Sequence, residues 1–145
     1  MPDLHALVEE VMVVRMGGVH QSTALVQALA DFMFGLSPVP PSVRADDAAA
    51  VRGKALFESK EVGCTECHAG SAFMSPDNHD VGTGEALQVP SLRGVVYRAP
   101  FLHDGCAATL RARFDDACGG GDRHGHTSQL TDAQLDDLVA YLSPL

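Results

Sequence analysis

Cys64-Thr65-Glu66-Cys67-His68 is the stretch that decides how this chain folds and what it holds. It is the pattern C-x-x-C-H, the arrangement of c-type haem attachment. The spacing has a physical reason. Two thiols three positions apart on one helical turn can each add to one vinyl group of a haem lying against that turn. The histidine next in line then points a ring nitrogen at the iron from the same side. The implied cofactor is one covalent haem c, attached through Cys64 and Cys67, with His68 as the proximal iron ligand.

Two other chemistries use cysteines so spaced. A structural zinc site needs a second closely spaced pair, and Cys106 and Cys118 are not such a pair. A thioredoxin-like redox motif wants a preceding strand in a βαβ unit. Here a helix precedes the motif instead. Asp46 and Asp47 open it, it runs from Ala48 to about Ser59, and it is expected to turn Val51, Ala55 and Leu56 inward. With the first two cysteines committed to haem, Cys106 and Cys118 remain as an even pair. They either form a disulfide across a helix expected at Ala108–Phe114, contributing about 3 kcal/mol, or stand as two independent buried thiols.

Downstream of the motif, residues 69–90 show no periodicity and are rich in Gly, Pro, Asn and Asp, which reads as a functional loop. Residues 91–96 suit a short helical turn. The last helix is the best marked. Thr131 and Gln134 make a capping box, Leu135, Leu138, Val139 and Leu142 form an apolar stripe, and Pro144 closes it. Upstream, Asp3 caps a helix through about Arg15 that ends at Gly17-Gly18. Ser22 or Thr23 caps a second helix, carrying Leu25, Leu29, Phe32 and Met33. Met12, Met16 and Met33 read as core packing. Ser37-Pro38-Val39-Pro40-Pro41 is an extended linker. No strand pattern exceeds three or four residues. The expected class is all-α with long loops, in two parts: residues 1–45, a helical segment with a proline-rich connector, and residues 46–145, the haem domain.

The composition limits the partners. Nineteen acidic against ten basic residues give a formal charge of −9, which argues against nucleic acid, since a phosphate backbone needs a basic face. It suits a basic protein partner. No apolar run reaches the ~20 residues of a membrane span. The opening MPDLHALVEE is not a secretory signal. Haem attachment of this kind happens outside the cytoplasm, so the expected location is periplasmic or otherwise extracytoplasmic. Either a signal was replaced by Met1 or the chain is a piece of a longer one.

Beyond the haem motif, Pro90-Ser91-Leu92-Arg93-Gly94-Val95, Arg98-Ala99-Pro100-Phe101-Leu102-His103-Asp104-Gly105, Ala108-Thr109-Leu110, and Gln129-Leu130-Thr131 leading into Leu138-Val139-Ala140-Tyr141-Leu142 occur in an order that resembles one family. It is the di-haem cytochrome c peroxidase family, which includes the tryptophan-tryptophylquinone maturation enzyme. The resemblance is to its C-terminal haem domain. Gly53-Lys54-Ala55-Leu56-Phe57 and His79-Asp80-Val81-Gly82-Thr83-Gly84 fit it too. It implies a cytochrome c-like helical domain. It also implies an electron-transfer role, because in the family peroxide reacts at the N-terminal haem and the C-terminal haem passes electrons to it. This chain has a single C-x-x-C-H. The redox partner is then another protein or a second haem domain of a longer chain.

The family often places a Met or Tyr distal ligand where this chain has about Ala117, which cannot bind iron. The sixth ligand is therefore elsewhere or absent. Met74, His79, His103, His124, His126, Met16 and Met33 are candidates. His124 leads, since its loop, Gly119-Gly120-Gly121-Asp122-Arg123-His124-Gly125-His126, can approach a haem closely. Met74 is second. A thioether would raise the reduction potential and a second histidine would lower it. His103 is expected to be structural or to hydrogen-bond the haem edge. Arg93 is expected to pair with a haem propionate or to form a surface salt bridge. The rival to an electron carrier is a peroxidase-like haem enzyme with an open distal site, for which Glu85, His79 or His126 could handle the peroxide proton. A metal-binding interaction module without haem is a third reading.

Overall fold

The computed structural model describes residues 3–37 and 47–145. Residues 38–41 of the expected linker, and Asp46, lie outside the described residues. The chain forms two compact units, Met1–Val39 and Pro40–Leu145.

In the first unit the Asp3 carboxylate accepts from Ala6 N at 2.8 Å and caps α1, Leu4–Val8. The expected continuation as α-helix to Arg15 widens instead into a π-helix, Glu9–Arg15. In that winding residues five apart lie over one another, and Arg15 Nε donates to Glu10 Oε1 at 3.0 Å. Ser22 caps α2, Thr23–Gly35. Val8 and Val26 are buried, whereas Met12, Met16 and Met33, expected in the core, are exposed along with Leu25, Leu29 and Phe32. Two helices of so short a unit have too little surface of their own to cover both apolar faces.

The second unit is organised by α3 (Ala48–Phe57) packed on α5 (Asp132–Leu142). The Asp47 carboxylate caps α3 by accepting from Ala49 N at 2.8 Å. The capping box of α5 is complete: Thr131 accepts from Gln134 N, and Gln134 Oε1 accepts from Thr131 N at 2.9 Å. The inward face of α3 is Ala50, Gly53 and Phe57, not the expected Val51 and Ala55, which are exposed, and Leu56 is half-buried. Gly53 is the reason. A Cβ there would stand 1.8 Å from the Asp137 carbonyl oxygen, so α3 turns its smallest residue toward α5 and the backbones approach closely. Arg52, beside it, donates from Nε and Nη2 to the two carboxylate oxygens of Asp137 at 2.8 and 2.6 Å. Phe57, Phe114, Leu135 and Leu138 are the buried core, with Cys64, Phe73, Leu92 and Tyr141 packed against it. The Phe57 ring meets Phe73 edge-on at 6.1 Å and Tyr141 at 5.3 Å.

Cys64–Cys67 is a single helical turn, α4. The long loop after it contains an antiparallel hairpin of β1 (Asn78–Asp80) and β2 (Ala86–Gln88), with His79 opposite Leu87. Asp80 Oδ1 closes its turn by accepting from the N–H groups of Gly82, Thr83 and Gly84. The short turn expected at 91–96 is a 3-10 turn, Val95–Tyr97. The helix expected at Ala108–Phe114 does not form. Phe101 bridges Ala107 as a strand pair, and only 3-10 turns follow, at Ala112–Phe114 and Asp116–Cys118. The Thr109 hydroxyl accepts from Ala112 N at 3.0 Å and starts the turn late. A Cys106–Cys118 disulfide then closes the segment into a loop. Apart from the hairpin, the class is all-α with long loops.

Candidate functional site

Gly63, in a left-handed conformation at φ 75°, turns the chain into α4, and His68 N donates to the Cys64 carbonyl at 2.9 Å to complete the turn. Cys64 and Cys67 are free thiols. Burial pushes both thiols up, with the Arg113 cation partly opposing this at Cys64 and neighbouring carboxylates adding to it at Cys67. Among the described residues no three His, Cys, Asp or Glu side chains converge on a position for a bare metal ion, so the zinc reading has no site.

His68 is buried and its tautomer is set by its neighbours. Nδ1–H donates to the Phe73 carbonyl at 3.0 Å, which leaves Nε2 with the lone pair. Phe73 holds that carbonyl in place at the strained φ of 50°, a conformation that costs roughly 1–2 kcal/mol for a residue with a side chain. Burial lowers the His68 pKa, against the pull of the Phe73 and Pro90 carbonyls, so the ring is neutral and able to ligate.

His124 arrives from the glycine-rich loop, which presses onto the same turn. A Cβ on Gly120 would lie 2.1 Å from the Phe114 carbonyl oxygen, and one on Gly125 3.1 Å from that of Val62. His126 N donates to Val62 at 2.9 Å, and the buried Thr127 donates to Gly121 through both its amide and its hydroxyl. Burial pulls the His124 pKa down to about 3, Arg113 and His68 adding to the effect. Its Nδ1 is buried without a hydrogen-bond partner. Such an orphaned nitrogen costs free energy unless something satisfies it.

The rings of His68 and His124 face one another, their centroids 6.1 Å apart and their planes at 27°. Two imidazoles at that separation could hold one metal ion between them if a ring nitrogen of each turned inward, since metal–nitrogen bonds are roughly 2 Å. Two adjoining cavities of about 360 and 200 Å³ share Cys67, His68, Pro90, Leu92, Phe101, Leu102 and His124 among their walls. The larger is bordered by Arg98 and by the exposed His79 and His103. The smaller runs inward to Cys64, Phe57, Phe114, Leu138 and Arg113. Both cavities are walled mainly by apolar side chains, and exposed polar groups stand at the border of the larger one, which suits a flat apolar macrocycle with two carboxylates on one edge. The residues present therefore fit a covalent haem.

The structure brings Cys64, Cys67, His68 and His124 together and leaves other candidates outside. Met74 is exposed and borders neither cavity. Neither do His126 or Arg93. The Arg93 Nε donates to the Ser71 carbonyl at 2.7 Å instead, clipping the loop that follows the motif. Arg98 and Arg113 line the cavities, and reading the sequence assigned neither a role. Arg98 lies within the motif string that ends in His103-Asp104-Gly105. Arg113 belongs to no motif, and the helix expected at Ala108–Phe114 does not single it out.

Residues 50–145 match the family model for cytochrome c. The chain is 28% identical to the hydrazine synthase subunit gamma of Kuenenia stuttgartiensis, over 65% of this chain and 40% of that protein. It is also 28% identical to the methylamine utilization protein MauG of Methylorubrum extorquens, over 89% of this chain and 44% of that protein. It thus spans less than half the length of the curated relatives it matches. Among solved structures, Kuenenia stuttgartiensis hydrazine synthase superposes with a TM-score of 0.74 at 26% identity, covering 95% of this chain and 60% of that one. A MauG-like protein associated with microbial copper homeostasis gives 0.61 at 17% identity, covering 92% and 60%, a likeness of fold alone. Among the described residues no helix is long and apolar enough to cross a membrane. With the C-x-x-C-H turn, the paired imidazoles and the match over residues 50–145, the chain belongs to the cytochrome c family.

Proposed function

We propose that residues 46–145 are a one-haem electron-transfer domain, with residues 1–45 a separate helical segment, and that the domain relays electrons within a larger oxidoreductase or to a partner protein. Cys64 and Cys67 hold the haem through thioethers, and His68 and His124 are its axial ligands. Bound there, a haem supplies a one-electron ferric/ferrous couple. The observation that carries the reading is the pair of neutral imidazoles, buried His68 and half-buried His124, with their ring centres 6.1 Å apart. Two histidine ligands would leave no open site for a substrate and would favour a low potential. Arg98, exposed at the border of the larger cavity, donates from Nη2 to the Ser91 and Arg93 carbonyls and has further N–H donors that suit a haem carboxylate. The net charge of −9 suits a basic partner. The Cys106–Cys118 disulfide suits maturation in an oxidising, periplasmic compartment.

The test is an absorption spectrum of the protein expressed with periplasmic haem-maturation machinery, ferric and dithionite-reduced. A low-spin spectrum is expected, converted to high-spin by His124→Ala and unchanged by Met74→Ala. A parent that is high-spin and shifts on adding peroxide would replace this reading with the peroxidase-like one. A parent with no covalent haem would end both.

A further inference from the structure

Arg113 is a half-buried cation that the proposed ligand set does not use. Its side chain borders the inner cavity together with Cys64, Phe114 and His124. Its Nη2 donates to the His124 carbonyl. Its guanidinium carbon lies 4.6 Å over the Phe114 ring. Its Nη1 is enclosed and has no hydrogen-bond partner. No carboxylate among the described residues pairs with it, in contrast to Arg111, which meets Asp115, Asp132 and Asp136. A guanidinium cannot shed its charge at ordinary pH, and burying one unpaired is costly. It stands in the wall of the inner cavity, whereas Arg98 stands at the border of the larger one.

We propose that Arg113 is a positioning residue that sets the reduction potential of the haem site, through an uncompensated positive charge in the inner wall and a hydrogen bond that holds the His124 loop. The inference rests on the haem reading above. The ferric state carries one more positive charge than the ferrous. A fixed cation close by in a poorly solvated wall disfavours the ferric state, so it raises the potential of a bis-histidine site. Salt screens a partly buried charge less than an exposed one, so the effect persists at high ionic strength.

Two variants separate the charge from the hydrogen bond. Arg113→Gln removes the charge and retains an N–H donor for the His124 carbonyl. Arg113→Lys retains the charge. Both are expressed as the full chain with haem-maturation machinery and titrated spectroelectrochemically at low and high salt. In Arg113→Gln the ferrous/ferric ratio at fixed potential is expected to fall at least tenfold, a drop of about 59 mV for one electron, at both salt concentrations and with a low-spin spectrum. Arg113→Lys is expected to keep more than half of the parent's advantage. Equal midpoints for parent and Arg113→Gln would overturn the proposal. So would failure of both variants to fold or hold haem, which would make Arg113 a structural strut. Failure of the haem reading is distinguishable, because it shows in the parent as the lack of covalent haem.

Discussion

Gly53→Ala sets two effects of opposite sign against each other. In an isolated helix the change is favourable, by roughly 1 kcal/mol, because alanine has the better helix propensity. Here the new Cβ would lie 1.8 Å from the Asp137 carbonyl oxygen, 2.5 Å from its carbon and 2.9 Å from the Tyr141 Cβ. The obstacle is α5 backbone, which no rotamer change can move. Reaching ordinary contact requires α3 and α5 to separate by about 1.6 Å, and a gap of about 1 Å already forfeits up to half of a dispersion contact. Phe57 on α3 and Leu135 and Leu138 on α5 share the core across that interface, so the loss falls on the best-packed part of the unit. Overpacking costs about 1–3 kcal/mol where side chains can yield and more where they cannot. We expect a net loss of about 3 kcal/mol or more, a fall in Tm of roughly 12–24 °C for a domain near this size. Thermal unfolding followed by far-ultraviolet circular dichroism reads it. Gly35→Ala is the control, since a Cβ there meets nothing within 4 Å, and it should not destabilise. A Gly53→Ala protein that melts within about 4 °C of the parent would refute the close approach of the two helices.

Three further outcomes are expected. Thr131→Ala removes the capping box of α5 and should cost about 1 kcal/mol, read as a lower urea midpoint at unchanged m-value. Replacing Cys106 and Cys118 together by serine opens a link across a sequence separation of 12 and should cost about 3 kcal/mol, read the same way. For pH, the hydrogen-bonded Arg52 guanidinium holds the Asp137 carboxyl below its ordinary value of 3.8. A depressed folded pKa contributes stability that is intact above the unfolded value and lost as pH falls through the folded one. Stability should therefore hold down to about pH 4 and decline below it, and Asp137→Asn should remove that part of the acid decline.

Local chemistry was legible in the residues alone. A haem-attachment turn spans five positions, a capping box four, and an Asp, Ser or Thr cap acts on an amide two or three residues on. Asp3, Ser22, Asp47 and Thr131 cap where their spacing predicts, because each of those hydrogen bonds closes within one helical turn. The all-α class followed from the same short-range signals.

What the sequence could not determine depends on which segments meet. The inward face of α3 was misread because glycine adds nothing to an apolar stripe, yet Gly53 is the one residue that lets α5 backbone come close. The helix expected at Ala108–Phe114 yielded to a disulfide and a threonine hydroxyl, whose partners lie outside the helix's own period. Arg113 has no role in the sequence until its guanidinium meets the His124 carbonyl of the glycine-rich loop. The facing of His68 and His124, 56 positions apart, and the exposure of Met74 are matters of packing. Hydrogen bonds within a turn are written in adjacent residues, whereas burial, orphaned polar atoms and ring-to-ring distances exist only once distant segments have closed around one another.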